Sequence, residues 1–368
     1  MFVKLSYSAV YILLLHFFVI TSSEVTDSWV DCDPGNDDVF ALLLTAHSKQ
    51  IKLLGISTVA GNQDVKNATD IALMSMNLFG LIHPTNKTDI KEDISLSNFQ
   101  NYGLECPLVI GASKPLLKNN FKASYFDNYG LNSLNIPLIP KSVREYVENL
   151  NSKFHFTKLM YDSIKNNSKK VTIIALGPLT NIALLIINYP DVINYVEKIV
   201  IMGGAVGFGN VGQISEFNIK IDPEAAAYVF DSGLPVYMVP LELTHTALIT
   251  PKIQQAVKSL SNNYSNILSR LLMFYAPFYK TTYQMDDPPL HDPCAVAYVV
   301  DPSLFECRLF RVDVETMSSL SYGQTICDFY NETEREKNVF VCLKMNVEKF
   351  WDLMLDAIRS IGQISPAN

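Results

Sequence analysis

Trp29-Val30-Asp31-Cys32-Asp33-Pro34-Gly35-Asn36-Asp37-Asp38 packs four carboxylates into eight residues, directly after an apolar strand start. Pro34 and Gly35 let the chain turn back, and Val39 to His47 continues with the apolar period of a helix. The segment therefore reads as strand, turn, helix. Four like charges at one strand end repel one another unless something positive sits among them. A hard divalent cation held by oxygen ligands is the usual solution, and the turn lets Asp33 converge with Asp37 and Asp38 on one ion. Acidic residues also favour a helix N-terminus, by about 0.3–1 kcal/mol each. That accounts for Asp37 and Asp38 but leaves Asp31 and Asp33 without a reason.

The same pattern recurs along the chain. Ile51 to Thr58 ends at Gly61-Asn62 and gives way to a helical stretch, Ala68 to Leu81. Val171 to Ala175 ends at Gly177-Pro178, ahead of the helical Thr180 to Ile187. Ile199 to Met202 runs into Gly203-Gly204, and Val236 to Pro240 follows a helix, Pro223 to Phe230, that stops at Gly233. Strands alternating with helices predict an α/β fold with an open, mainly parallel sheet flanked by helices. In such sheets the ligand crevice lies just beyond the carboxyl ends of the strands.

A second half-site lies near the far end. Pro289-Leu290-His291-Asp292-Pro293-Cys294 places a histidine beside a carboxylate at a helix start. Asp292 there is an N-cap candidate with Pro293 at the first helical position. Capping leaves lone pairs over for coordination.

Together these segments resemble the inosine–uridine preferring nucleoside hydrolase family, whose opening motif is similar to Asp-x-Asp-Pro-Gly-x-Asp-Asp. Four further stretches agree in order: Ala60-Gly61-Asn62; Leu176-Gly177-Pro178-Leu179-Thr180-Asn181; Met202-Gly203-Gly204 leading through Asn210 to Glu216-Phe217-Asn218 and Asp222-Pro223-Glu224; and His291-Asp292-Pro293. The resemblance implies the nucleoside hydrolase fold, with a Rossmann-like core, and a calcium-dependent enzyme that cleaves the N-glycosidic bond of ribonucleosides. It implies Asp33, Asp38 and Asp292 as side-chain calcium ligands, with the Leu176 carbonyl as another. Asp33 would also take the proton of the attacking water. Asp37, Asn62, Asn210, Glu216 and Asn218 would contact ribose hydroxyls, Met202 would line the sugar pocket, and His291 would protonate the leaving base. The chemistry is consistent. Glycosidic cleavage passes through an oxocarbenium-like sugar, which carboxylates stabilise, and a departing base gains from an acid.

The match weakens on the base side. Phe126-Asp127-Asn128-Tyr129-Gly130-Leu131 stands where family members often carry a His-Gly pair, leaving Phe126 or Tyr129 to stack on the ring. Neither Trp29 nor Trp351 is placed to sandwich a base as in the purine-specific branch. Tyr275, Tyr279 and Tyr283 have helical spacing that suits either a base pocket or a core stripe. His245 sits just past a strand end and is read as structural, Cys32 and Cys294 as packing residues, and Asp222 as a helix N-cap.

The chain ends bound the setting. Lys4, the apolar run Val10 to Ile20 and the small polar Thr21-Ser22-Ser23 read as a secretory signal peptide over residues 1–23, followed by one hydrolase domain, 24–368. The run is short of the roughly 20 apolar residues of a membrane span, so no membrane association is expected after cleavage. The full chain carries 29 basic and 37 acidic residues. Loss of Lys4 leaves 28 basic and a net charge of −9, which argues against nucleic acid and for a small substrate. Six cysteines enter an oxidising compartment, and a bridge among Cys307, Cys327 and Cys342 fits their placing on neighbouring strands. Sequons at Asn67, Asn86, Asn166, Asn263 and Asn331 predict an N-glycosylated, extracellular protein. A homo-oligomer is expected from the resemblance alone.

Two rival classes remain. A secreted protein of this fold could bind nucleosides without turning them over. Asp-x-Asp after a strand also resembles the nucleophile loop of haloacid-dehalogenase-type phosphatases, but Gly35 stands where that pattern has Thr or Val.

Overall fold

A computed structural model describes residues 25–83, 94–118, 138–260, 262 and 264–363. The residues read as a signal peptide, the Phe126–Leu131 segment and the sequons at Asn86 and Asn263 lie outside these residues.

Nine strands form one sheet: β1 Thr26–Cys32, β2 Ile51–Thr58, β3 Leu108–Ile110, β4 Val171–Ala175, β5 Val196–Met202, β6 Val236–Val239, β7 Phe305–Val314, β8 Thr325–Asp328 and β9 Val339–Met345, in the order β3-β2-β1-β4-β5-β6-β9-β7-β8. From β3 to β9 every neighbouring pair is parallel. The antiparallel β7 and β8 extend one edge. This is the predicted α/β architecture. The central strands are buried on both faces, as β1 and β4 show along nearly their whole length, because helices cover each side of a parallel sheet. Trp29 is fully buried, its indole N–H donating to Ser57 Oγ at 2.9 Å, and Trp351 is buried in the C-terminal helix Val347–Ile361.

The sheet order reverses at β1, which has β2 on one side and β4 on the other. Loops leaving the carboxyl ends of β1 and β4 diverge to opposite sides there and open a crevice. Asp33 follows β1 and Leu176 follows β4, so the topology places both at the switch point.

The expected disulfide forms between Cys307 and Cys342, which sit opposite each other on β7 and β9. Cys327 on β8 is not part of it. Among the described residues no helix is long and apolar enough to cross a membrane.

Candidate active site

Each half-site is set by local chain chemistry. The helix Asn36–His47 starts directly after the Pro34-Gly35 turn, where the Gly35 N–H donates to Asp38 Oδ2 at 2.8 Å. Asp38 thus spends one oxygen on its helix, while Oδ1 is buried without a hydrogen-bond partner. Asp33 is similar. Its Oδ2 accepts the Asn62 N–H at 2.6 Å, and its buried Oδ1 has no partner. Two glycines make room for this carboxylate. A Cβ on Gly61 would lie 2.1 Å from Asp33 Oδ2, and one on Gly177 would lie 2.5 Å from Oδ1.

Asp292 opens the helix Asp292–Val300 as its first residue rather than as the N-cap that Pro293 suggested. His291 holds the cap position, and no side-chain cap bond forms there. The Asp292 carboxylate is therefore directed elsewhere. Oxygens of Asp37, Asp38 and Asp292 lie within 4.8 Å of one another. Asp37, expected as a sugar contact, is thus a member of the carboxylate cluster, whereas Asp33, expected as a ligand, is neither one of its three residues nor among those lining the neighbouring cavity. Burial first, and the neighbouring carboxylates second, push the carboxyls of Asp33 and Asp292 well above their ordinary range and that of Asp38 up to about 8. Buried anionic oxygens without donors, crowded by like charge, fit a hard cation with oxygen ligands.

Asp31 does not join this cluster, contrary to the reading of four carboxylates around one charge. Its side chain turns into the fold, where Oδ1 accepts hydrogen bonds from Ser57 Oγ and from Asn181 Nδ2. Asn181 also donates to the Thr58 carbonyl and accepts the Ala112 N–H. Asp31 and Asn181 thus lock β1, β2 and the turn after β3 together beneath the site.

A cavity of about 340 Å³ opens beside the cluster, within the roughly 300–1,000 Å³ range of small-molecule sites. Its lining includes Asp37, Asn62, Leu176, Met202, Asn210, Glu216 and Asn218. Every expected sugar contact therefore reaches the cavity, though several side chains already have work to do. Asn218 Nδ2 donates to the carbonyls of Leu176 at 2.7 Å and Met202 at 3.1 Å, joining the ends of β4 and β5. The Leu176 oxygen keeps a second lone pair for another partner. Glu216 accepts backbone N–H groups from Asn218, Ile219 and Gly204 and caps the short helix Phe217–Ile221. Burial pushes its carboxyl up to about 7 against those three amides.

The lining also includes His291, Tyr275, Phe278, Tyr279 and Tyr283. The helix Ala276–Thr282 buries none of its residues, so the tyrosine spacing marks a pocket wall and not a core stripe. His291 shares one hydrogen bond with Thr244 Oγ through Nδ1 and another with the Tyr279 hydroxyl through Nε2, both at 2.7 Å. Burial, and then the nearby His245, push the imidazolium pKa down to about 3. The expected proton donor is therefore a neutral imidazole at physiological pH, set between two hydroxyls. His245 stands beside it, ring centroids 5.5 Å apart, and is not among the cavity-lining residues. Tyr279 and Thr244 were not singled out as its partners by sequence; the only signal was the tyrosine spacing. Asp222 is the N-cap it was read to be, accepting from Ala225 N–H, Leu116 N–H and Thr180 Oγ.

The carboxylate cluster at the switch point of this sheet thus stands beside a cavity lined by carboxylate, amide and aromatic side chains. The chain belongs to the inosine-uridine preferring nucleoside hydrolase family, whose profile matches residues 28–352. It is 39% identical over 347 residues to a probable ribonucleoside hydrolase of Dictyostelium discoideum, covering 92% of this chain and 95% of that one. It is 34% identical to an inosine-uridine preferring nucleoside hydrolase of Crithidia fasciculata, covering 90% and 97%. Among solved structures, a purine-preferring ribonucleoside hydrolase from Gardnerella vaginalis superposes with a TM-score of 0.77 at 28% identity, covering 92% of this chain and all of that one.

Proposed function

We propose that this chain is a secreted, calcium-dependent hydrolase that splits purine and/or pyrimidine ribonucleosides into free base and ribose. The observation that carries the reading is the convergence of Asp37, Asp38 and Asp292 within 4.8 Å beside a cavity lined by hydrogen-bonding and aromatic side chains.

Asp33, Asp38 and Asp292, with the Leu176 carbonyl, would hold the ion, and their all-oxygen donor set favours calcium. Bound calcium supplies fixed positive charge that orients a water and the sugar hydroxyls. Asp33 would accept the proton of the attacking water. Asp37, Asn62, Asn210, Glu216 and Asn218 grip ribose hydroxyls, and Met202 packs against the ring. A wall built to bond hydroxyls rejects sugars that lack them. As the glycosidic bond breaks, the carboxylates of Asp37 and Glu216 stabilise positive charge on the sugar. The leaving base gains negative charge and takes a proton from the His291–Tyr279 pair, whose hydrogen bond joins a ring nitrogen to a hydroxyl on the cavity wall. Thr244 fixes the ring from behind.

Passage through the secretory route is supported by the leader-like residues 1–23, the Cys307–Cys342 bridge and the exposure of Asn67, Asn166 and Asn331. The test is incubation with inosine, adenosine, uridine and 2′-deoxyinosine, with chromatography of base and sugar. Equimolar base and ribose from the ribosides, with little from the deoxy analogue, supports the reading. Saturable binding without base release would assign the chain to nucleoside binding and overturn it.

A further inference from the structure

The loop that leaves β5 carries the sugar wall, and its backbone is held in an unusual way. Five consecutive amides, from Gly204 to Phe208, each donate to a side chain from another part of the chain. Gly204 N–H goes to Glu216 Oε2 at 2.9 Å and Ala205 N–H to Thr325 Oγ at 2.9 Å. The next three all go to Glu242. Its Oε1 accepts from Val206 at 3.1 Å, Gly207 at 2.7 Å and Phe208 at 3.2 Å, and its Oε2 accepts a second contact from Val206 at 3.0 Å. Successive N–H groups converging on one anion form a nest, here closed by a residue of the chain itself. Glu242 lies in the short helix Leu241–Thr244 just after β6, and the Leu241 N–H donates back to the Gly204 carbonyl at 3.0 Å.

Beyond this anchor the loop closes on itself, the N–H groups of Asn210 and Val211 both donating to the Ser215 carbonyl at 3.0 Å. Phe208 is 87% exposed at its tip. Two residues on, Asn210 reaches the cavity; its Oδ1 accepts the Phe217 N–H at 2.9 Å, and its carbonyl accepts the Tyr283 hydroxyl at 2.8 Å. Val211 and Gly212 line the cavity as well. Glu242 does not line it.

We propose that Glu242 is a positioning residue for the sugar: by clamping the amides of residues 206–208 it holds Asn210 and its neighbours in a binding-ready place. The inference rests on the reading of Asn210 as a ribose contact. Without the carboxylate, three amides lose their common acceptor, and the loop must be re-ordered each time substrate binds. That cost falls on ground state and transition state alike, so it raises KM and leaves kcat in place. It falls equally on every base, because the loop meets the sugar.

The experiment compares wild type, Glu242→Ala and Glu242→Gln. It measures kcat and KM for inosine and uridine, calcium affinity by calorimetry, and thermal unfolding. For Glu242→Ala the expected result is a KM raised about ten-fold for both substrates, the equivalent of fixing roughly one backbone residue, with kcat within about two-fold. Glu242→Gln keeps one carbonyl acceptor and should fall between, near three-fold by the same scale; it carries the test if the alanine variant fails to fold. Calcium affinity should not change, since no cluster carboxylate touches Glu242. An unchanged KM overturns the proposal. So does a fall in kcat and calcium affinity alongside KM, which is the mark of general structural damage. If wild type binds inosine without releasing base, the hydrolase reading fails while this one stands, and the same ten-fold shift is then expected in Kd. If wild type neither binds nor cleaves ribonucleosides, both fall.

Discussion

Gly61→Ala tests how tightly the fold holds Asp33. The new Cβ would stand 2.1 Å from Asp33 Oδ2, 2.8 Å from its Cγ and 2.8 Å from Pro178 Cδ. Ordinary contact begins beyond 3 Å, so the carboxylate must retreat by about an ångström, and a shift of that size in a reacting group costs on the order of 100-fold. Retreat is blocked on the far side, where Gly177 leaves no more than its own missing Cβ of space. The move also strains the 2.6 Å bond from the Asn62 N–H. Overpacking of this kind costs about 1–3 kcal/mol of stability, so the protein should still fold. The assay is kcat/KM for inosine, with calcium affinity measured in parallel. Both should fall, the first by about two orders of magnitude. Gly233→Ala is the control. Its backbone is left-handed, at φ 81°, with nothing within 4 Å, so it should cost roughly 1 kcal/mol of stability and leave activity intact. A Gly61→Ala protein with wild-type kcat/KM and calcium affinity would refute the argument that Asp33 is wedged in a working position.

Three further outcomes follow from the geometry. Tyr279→Phe removes the hydroxyl bonded to His291 Nε2, and kcat for inosine should drop by about 10²-fold or more, with a much smaller effect on a riboside whose leaving group needs no proton, such as p-nitrophenyl riboside. Burial raises the Glu216 carboxyl to about 7, so the folded state binds its proton more tightly than the unfolded chain; this contribution is fully present below about pH 4.3 and is lost as pH rises through 7. Chemical denaturation of Glu216→Gln across that window should show a flatter pH dependence than wild type, and parallel curves would contradict the assignment. Replacing Cys307 and Cys342 by alanine opens a loop with a sequence separation of 35, and should cost about 4 kcal/mol by chain entropy, read as an earlier denaturation midpoint with activity retained in the folded protein.

Much of the site was legible because it lies at strand ends. The Asp31–Asp38 segment carries its own punctuation, an apolar run, a Pro-Gly turn and a periodic helix, and β2 and β4 begin and end where the β-branched runs do. The sugar-contact residues were legible only through the family resemblance. What escaped depends on pairings across the chain. Asp31 and Asp33 look alike in sequence, yet Asn181, 150 residues away, draws Asp31 into the fold. Helical spacing could not tell whether Tyr279 faces a core or a cavity; the lack of any buried residue in its helix decides it. The hydrogen-bond partners of His291 are Thr244 and Tyr279, which stand on two other elements. Asp292 had every mark of a cap except the bond, and Glu216 caps a helix while facing the cavity.

The most direct test of the central claim is base release from inosine by the purified protein as prepared, after chelation, after calcium is restored, and in Asp33→Ala. The account predicts free hypoxanthine in the first state, none after chelation, recovery with calcium, and a loss in Asp33→Ala that calcium does not rescue. Undiminished release from the chelated protein, or full activity in Asp33→Ala, would contradict it.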